Sequence, residues 1–182
     1  MRVLVGCEFS GRVRDAFIAK GHDAVSCDLL PSEVEGPHIQ GNILDILDQG
    51  WDMLISFPPC THLCSSGARH FYKKKHLQDE AISLFVKLLW YTDIPKVCLE
   101  NPVGVVSTRF RKPDQIIQPW MFGLPETKAT CLWLEGLPLL QPGLVVSGRY
   151  PRVHMESPGP DRWKNRSRTN TYLALEMAAQ WG

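Results

Sequence analysis

Two hydrophobic patterns alternate along the chain. Short apolar runs at Arg2 to Gly6, Ala24 to Cys27, Trp51 to Phe57, Lys96 to Glu100 and Thr130 to Leu134 have the length of strands buried in a sheet. Between them, Gly11 to Gly21 places Val13, Phe17 and Ile18 at helical spacing, with Gly21 as the stop. Gln78 to Tyr91 sets Ile82, Phe85, Val86, Leu88, Leu89 and Trp90 on a broad helical face, with Asp79 and Glu80 at the start, where the helix dipole favours acids. Thr169 to Trp181 has Tyr172, Leu173, Leu175, Met177 and Ala178 in a helix-compatible pattern. Strands alternating with helices predict a mostly parallel sheet with helices on both faces. Such sheets bind ligands beyond the carboxyl ends of their strands.

Breakers divide these elements. Asp28 closes the second strand, Pro31 to Pro37 is a loop, and Pro58-Pro59 cuts off the central strand. After residue 104 the texture changes, and Pro138 to Pro160 is rich in proline and glycine. No internal repeat is present. The expectation is one domain over 1–182 with a loop-rich segment at about 105–168 before the final helix.

Composition narrows the picture. With 182 residues, 44% hydrophobic and 21% charged, the chain suits one globular core and is too apolar for a disordered tail. Lys plus Arg number 20 against 19 Asp plus Glu, a formal charge of +1, so a nucleic-acid contact would need a local basic patch. No apolar run approaches the roughly 18 residues of a membrane span, and Met1-Arg2-Val3-Leu4-Val5 leads into a strand rather than a signal peptide, predicting a soluble, cytoplasmic protein without membrane partners. Cys7, Cys27, Cys60, Cys64, Cys98 and Cys131 are scattered as in a reduced protein. Cys60 and Cys64 lack a second pair at zinc-site spacing, and nothing points to a metal.

Chemistry concentrates at three predicted strand ends: Glu8-Phe9-Ser10-Gly11, Phe57-Pro58-Pro59-Cys60 and Leu99-Glu100-Asn101-Pro102. A thiol after two prolines is held on a turn with few backbone choices. A carboxylate ending an apolar strand is held at the sheet edge, so Cys60 and Glu100 form a candidate nucleophile and general acid. Taken singly, Cys60 would be a buried structural thiol, Glu100 a loop cap and Asp28 a turn former; their combination favours a site. Basic residues gather in Arg69, His70, Lys73, Lys74, Lys75 and His76 with Phe71 and Tyr72; in Arg109, Arg111 and Lys112; and in Arg162, Lys164, Arg166 and Arg168. Solvated faces or a one-sided anionic partner would explain them. Trp120 and Trp163 suit packing beneath loops or stacking on a base.

The run Asp52-Met53-Leu54-Ile55-Ser56-Phe57-Pro58-Pro59-Cys60 resembles the nucleophile motif of cytosine-5 DNA methyltransferases, and Leu99-Glu100-Asn101-Pro102 resembles their Glu-Asn-Val motif. Phe122-Gly123-Leu124-Pro125-Glu126-Thr127-Lys128 is similar to a later aromatic-Gly-x-Pro-Gln segment, Leu4 to Phe17 to the cofactor loop, and Asn170 to Trp181 to the final helix. The resemblance implies a Rossmann-like, three-layer α/β/α sandwich that uses S-adenosylmethionine. It implies Cys60 as the nucleophile that adds to carbon 6 of cytosine and Glu100 as the group beside ring nitrogen 3.

By the same resemblance Glu8, Phe9, Ser10 and Gly11 would approach the methionine part of the cofactor. Asp28 would accept from the ribose hydroxyls, Asn42 from the adenine amino group, and Ser56 and Phe57 would line the cleft. Substrate contacts would fall to Pro59, Thr61, Asn101, Lys128, Arg166 and Arg168. The implied partner is DNA, its cytosine flipped or single-stranded. The chain departs from the family at Thr61, where Gln is usual, and at Thr130, where an Arg is usual; Lys128 or Arg166 to Arg168 would substitute. A long target-recognition region is missing, as in a small phage-type enzyme. A pyrimidine nucleotide or RNA substrate, or a silent binding module, stays open as an alternative, and no feature fixes the oligomeric state, a monomer being compatible.

Overall fold

The computed structural model describes residues 1–73 and 75–182, the side chains of residues 66, 67, 69 and 70 apart. The chain runs β1 (Arg2–Gly6), α1 (Arg12–Ala19), β2 (Asp23–Asp28), β3 (His38–Gln40), β4 (Met53–Ser56), α2 (Lys75–Leu89), β5 (Lys96–Pro102), α3 (Val106–Arg109), β6 (Gln115–Ile117), β7 (Thr130–Glu135), α4 (Arg152–Met155), α5 (Arg162–Ser167) and α6 (Thr171–Trp181), joined in places by 3-10 turns. The strands form one seven-stranded sheet in the order β3-β2-β1-β4-β5-β7-β6. β1 pairs in parallel with β2 and β4, β2 with β3, and β4 with β5, whereas β7 runs antiparallel to β5 and β6. The mostly parallel, two-sided sheet expected from the apolar runs is present.

Each face is covered because the central strands are apolar on both sides. On one face Val3, Val5, Met53 and Ile55 pack against α1 and α6 through Val13, Phe17, Leu173, Met177 and Trp181. On the other, Leu4, Leu54, Val97 and Leu99 meet Phe85, Leu88 and Leu89 of α2. The indole of Trp133 lies edge-on to Phe85, ring centres 5.0 Å apart. Among the described residues no helix is long and apolar enough to cross a membrane.

Several local expectations change. Ile18 is exposed while Ala16 and Arg14 are buried, because α1 turns a different stripe inward: Arg14 sinks between strand and loop, its guanidinium donating to Ser26 Oγ, Ser32 Oγ and the Glu35 carbonyl. α2 starts at Lys75, so Asp79 and Glu80 lie in its second turn; a first turn with few apolar residues leaves no hydrophobic mark in the sequence. Trp90, just past that helix, is more than half exposed and lies against Phe110 at 4.8 Å. Tyr172 and Leu175 of α6 are exposed as well. Only Met53–Ser56 of the 51–57 run enters the ladder; Trp51 packs below it, donating from Nε1 to the Ile46 carbonyl at 2.6 Å. Glu100 lies inside β5 and not at its end, because antiparallel β7 carries the ladder on to Pro102 opposite Thr130.

Candidate active site

The turns after β1 and β4 and the far half of β5 meet at one edge of the sheet, where parallel strands leave their last carbonyls and the following loops together. Val5 and Gly6 stand beside Ile55 and Ser56, and Ser56 beside Leu99. The Pro58-Pro59-Cys60 turn and Glu100 are therefore neighbours through the backbone, although separated in sequence.

The turn that carries Cys60 is held at both ends. Asn101, fully buried, donates from Nδ2 to the Pro58 carbonyl at 2.8 Å. The Cys60 carbonyl accepts from Leu63 N at 3.0 Å and Cys64 N at 2.9 Å, and Val105 N donates to the Leu63 carbonyl at 2.9 Å. Asn101, expected to touch substrate, thus acts on the nucleophile turn. Cys60 is the one exposed thiol of the six, while Cys27, Cys98 and Cys131 are buried. The residue as a whole is exposed, yet burial of the sulfur end raises the thiol above its ordinary value, with Glu100 and Cys64 adding to the effect and Lys128 opposing it.

Burial raises the Glu100 carboxyl, against the nearby Lys128 ammonium and Thr130 hydroxyl. Lys128 Nζ stands 3.9 Å from Glu100 Oε1 and donates to the Arg166 carbonyl at 3.4 Å. Glu100, Phe57, Lys128, Arg166 and Arg168 line one pocket of about 270 Å³. Sequence reasoning had not marked Arg12, Arg152 and Asn170, which line it too. Arg12 follows the Ser10-Gly11 turn and could have been found there; Arg152 carries no signal within its Pro- and Gly-rich surroundings.

The turn after β1 is built around Glu8. Its buried Oε1 accepts from Val13 N at 3.0 Å, satisfying a donor in the first turn of α1, and from Ser10 Oγ at 2.9 Å. Its buried Oε2 has no hydrogen-bond partner among the described residues. Gly11 adopts φ +72°, and a Cβ there would meet Val34 Cγ2 at 2.4 Å, so glycine suits both the backbone and the space. Phe9 lies beside Trp163, ring centres 6.0 Å apart. Glu33 N donates to the Phe9 carbonyl at 2.8 Å, folding the loop after β2 over this turn. Asp28, half-buried at the end of β2, accepts from Leu30 N at 3.0 Å. Burial raises both the Glu8 and Asp28 carboxyls.

Other expected residues lie elsewhere. Asn42 is exposed and spends its Oδ1 on Leu44 N at 3.1 Å, on a shallow surface shared with α2. Ser56 is fully buried, its hydroxyl packed against Gly6 and the Cys7 thiol, because strand alternation sends it away from the side that Phe57 faces. Pro59 and Thr61 are exposed on the turn. Arg168 is engaged by Glu33, donating from Nε at 2.7 Å and from the guanidinium terminus at 2.6 Å. Arg109 pairs with Asp79, and Arg111 with Asp114 and Glu135, so this basic cluster is largely neutralised. Trp120 lies beneath the Arg149 guanidinium at 4.0 Å. Of the earlier basic stretch, Lys74 and the side chains of Arg69 and His70 lie outside what the structure describes.

No protein-family model matches the sequence, and no curated protein matches it. Among solved structures, the chain is similar to an E. coli prophage-encoded protein assigned as a DNA modification methyltransferase: TM-score 0.51 and 13% identity, over 81% of this chain and 52% of that one. It is also similar to the Entamoeba histolytica methyltransferase EhMeth: TM-score 0.51 and 12% identity, over 87% of this chain and 60% of that one. The chain thus spans little more than half the length of these structures. At such identities the likeness concerns the fold, which is the Rossmann-like methyltransferase fold.

Proposed function

We propose that the protein transfers a methyl group from S-adenosylmethionine to carbon 5 of cytosine in DNA, through a covalent adduct of Cys60. The observation that carries this is geometric: the turn of Cys60, the one exposed cysteine, is tied at Pro58 by Asn101 to the strand that carries Glu100 as the preceding residue. A nucleophile and an acid set by different environments are what addition to a pyrimidine needs.

The residues of the β1–β2 edge fit the cofactor. Glu8 keeps an unpartnered buried oxygen, and both Glu8 and Asp28 are carboxylates whose charge burial disfavours. A ligand bringing an ammonium, a sulfonium and ribose hydroxyls would offset that penalty. Glu8 and the Phe9-Ser10-Gly11 turn would hold its amino-acid end and Asp28 its ribose. When bound, S-adenosylmethionine supplies an electrophilic methyl group on a sulfonium.

Cys60 adds as thiolate to carbon 6, forming a C–S bond and moving electron density to carbon 5. Glu100, kept toward its acid form by burial, donates to ring nitrogen 3 and stabilises the enamine. In that form it also ceases to oppose ionisation of Cys60. Lys128, 3.9 Å from Glu100, would take the place of the arginine expected near Thr130 and contact the cytosine carbonyl. With a methyl group on carbon 5, loss of that carbon's proton to solvent water and return of the nitrogen 3 proton to Glu100 would let the C–S bond break and release the Cys60 thiolate.

Mass spectrometry of nucleosides from DNA incubated with the protein, with and without S-adenosylmethionine, tests the reading. Donor-dependent 5-methylcytosine is expected, and its loss in Cys60→Ala with cofactor binding retained. Another modified nucleoside, or normal methylation by Cys60→Ala, would overturn it. DNA containing 5-fluorocytosine should form a covalent complex, which a silent binding module would not.

A further inference from the structure

The pocket beside Glu100 is lined by five cationic side chains, Arg12, Lys128, Arg152, Arg166 and Arg168, against the carboxylates Glu100 and Glu126. Three of the cations are engaged. Arg152 Nε donates to Glu126 Oε1 at 2.7 Å, Arg168 is held by Glu33, and Lys128 faces Glu100. Among the described residues Arg12 and Arg166 form no ion pair. The Arg12 guanidinium donates to the Thr169 carbonyl at 2.7 Å. Arg166 Nε is buried without an acceptor, and so is the Nδ2 of Asn170 on the same wall. A buried guanidinium N–H without a partner is costly, and a ligand that accepts from it removes that cost.

The ligand must carry several acceptor oxygens and negative charge. A phosphate matches the arginine fork. S-adenosylmethionine carries a carboxylate beside its sulfonium, but its expected place is the β1–β2 edge at Glu8 and Asp28, so the anion at this wall is assigned to the other reactant. Glu100 and Phe57 line the same pocket, so a pyrimidine ring beside Glu100 would share it with its own phosphate, with Cys60 outside the pocket lining on the neighbouring turn. A volume of about 270 Å³ lies just below the usual range for drug-sized ligands, which suits one nucleotide unit and not a stack of bases.

We infer that Arg12 and Arg166 form a phosphate site anchoring the pyrimidine nucleotide whose base faces Glu100; this rests on the cytosine reading of Glu100 and Cys60. The phosphate can come from a free nucleotide or from a flipped unit of a polymer.

Calorimetry on the full chain at fixed ionic strength, without cofactor, tests the site. 2′-Deoxycytidine 5′-monophosphate should bind at least about tenfold tighter than 2′-deoxycytidine, and inorganic phosphate should compete with it. Arg166→Gln should remove most of that preference and leave S-adenosylmethionine affinity unchanged. Equal affinity for the two cytidines, or failure of phosphate to compete, overturns the site; both comparisons use the unaltered protein. So does a weakening confined to S-adenosylmethionine in Arg166→Gln. A single-stranded oligonucleotide arm assigns the source: tighter binding than the monophosphate points to a polymer, weaker binding to a free nucleotide, and both keep the site. If the phosphate preference holds but no 5-methylcytosine forms, the cytosine reading fails and the phosphate site stands.

Discussion

The buried amide of Asn101 donates to the Pro58 carbonyl at 2.8 Å, so the strand that carries Glu100 also fixes the turn that carries Cys60. The proposed nucleophile and acid are thus registered to each other by one side chain that need not touch substrate. Asn101→Ala should lose about 1–2 kcal/mol of stability through the lost hydrogen bond and the unpaired carbonyl. Its turnover should fall further than substrate affinity does. Thermal unfolding together with kcat and KM checks this, and an unchanged kcat in a destabilised variant would count against the positioning role.

Glu100 gives a pH signature. Burial raises its carboxyl above the ordinary 4.5, so the folded chain holds this proton more tightly than the unfolded chain. The stabilisation is full below that ordinary value and is lost as pH rises through the folded-state value. Glu100→Gln should therefore melt above the wild type near pH 7, with the gap closing toward about pH 4. The same change should lower turnover by about 10²–10⁴-fold, as loss of a general acid does. Melting curves across pH, run beside activity assays, decide the point; a variant less stable than wild type near neutrality would contradict it.

The Arg168–Glu33 pair should behave in the opposite sense. Its hydrogen bonds from Arg168 hold the Glu33 carboxyl below the ordinary 4.5. The contribution is present above that value and is lost as pH falls through the folded-state value. Both side chains are about a quarter exposed, so Glu33→Gln should cost only about 0.5–1 kcal/mol. Because the pair joins the loop over Phe9 to the α5–α6 junction, the variant should be cut faster by protease between α4 and α6. Equal cleavage rates for variant and wild type would count against a clasp.

Gly104 is the second fixed point of the nucleophile turn. A Cβ there would lie 2.0 Å from the Leu63 carbonyl oxygen, and residues 64 and 104 form an isolated bridge. Gly104→Ala must push the 60–64 turn off β5, at a cost of about 1–3 kcal/mol. Activity should drop with it, while S-adenosylmethionine binding at the β1–β2 edge stays near wild type. Parallel loss of cofactor binding would show that the two edges are not independent.

Much of this was legible in sequence because it is local. Apolar runs predict β1, β2, β4, β5 and β7, since a strand buried on both faces must be apolar throughout. The double proline marks the turn at Cys60 because it restricts the backbone wherever it occurs. β3 and β6, each of three residues, are too short to leave a periodic mark. The direction of β7 follows from pairing with β5, which no run of its own residues encodes.

Site membership is where the chain alone said least. Its hydrophobic pattern and motif residues determined a two-sided α/β sheet with Cys60 and Glu100 among its chemistry. Tertiary structure decided which basic residues remain available: Arg109, Arg111 and Arg168 found carboxylates, whereas Arg12 and Arg166, far apart in sequence, line one pocket and among the described residues form no ion pair. It likewise turned Ser56 away from that wall and spent Asn42 on a cap. Strand identity is set by neighbours in the chain, but a charge becomes a site only through what lies across from it in space, and distance there is fixed by packing.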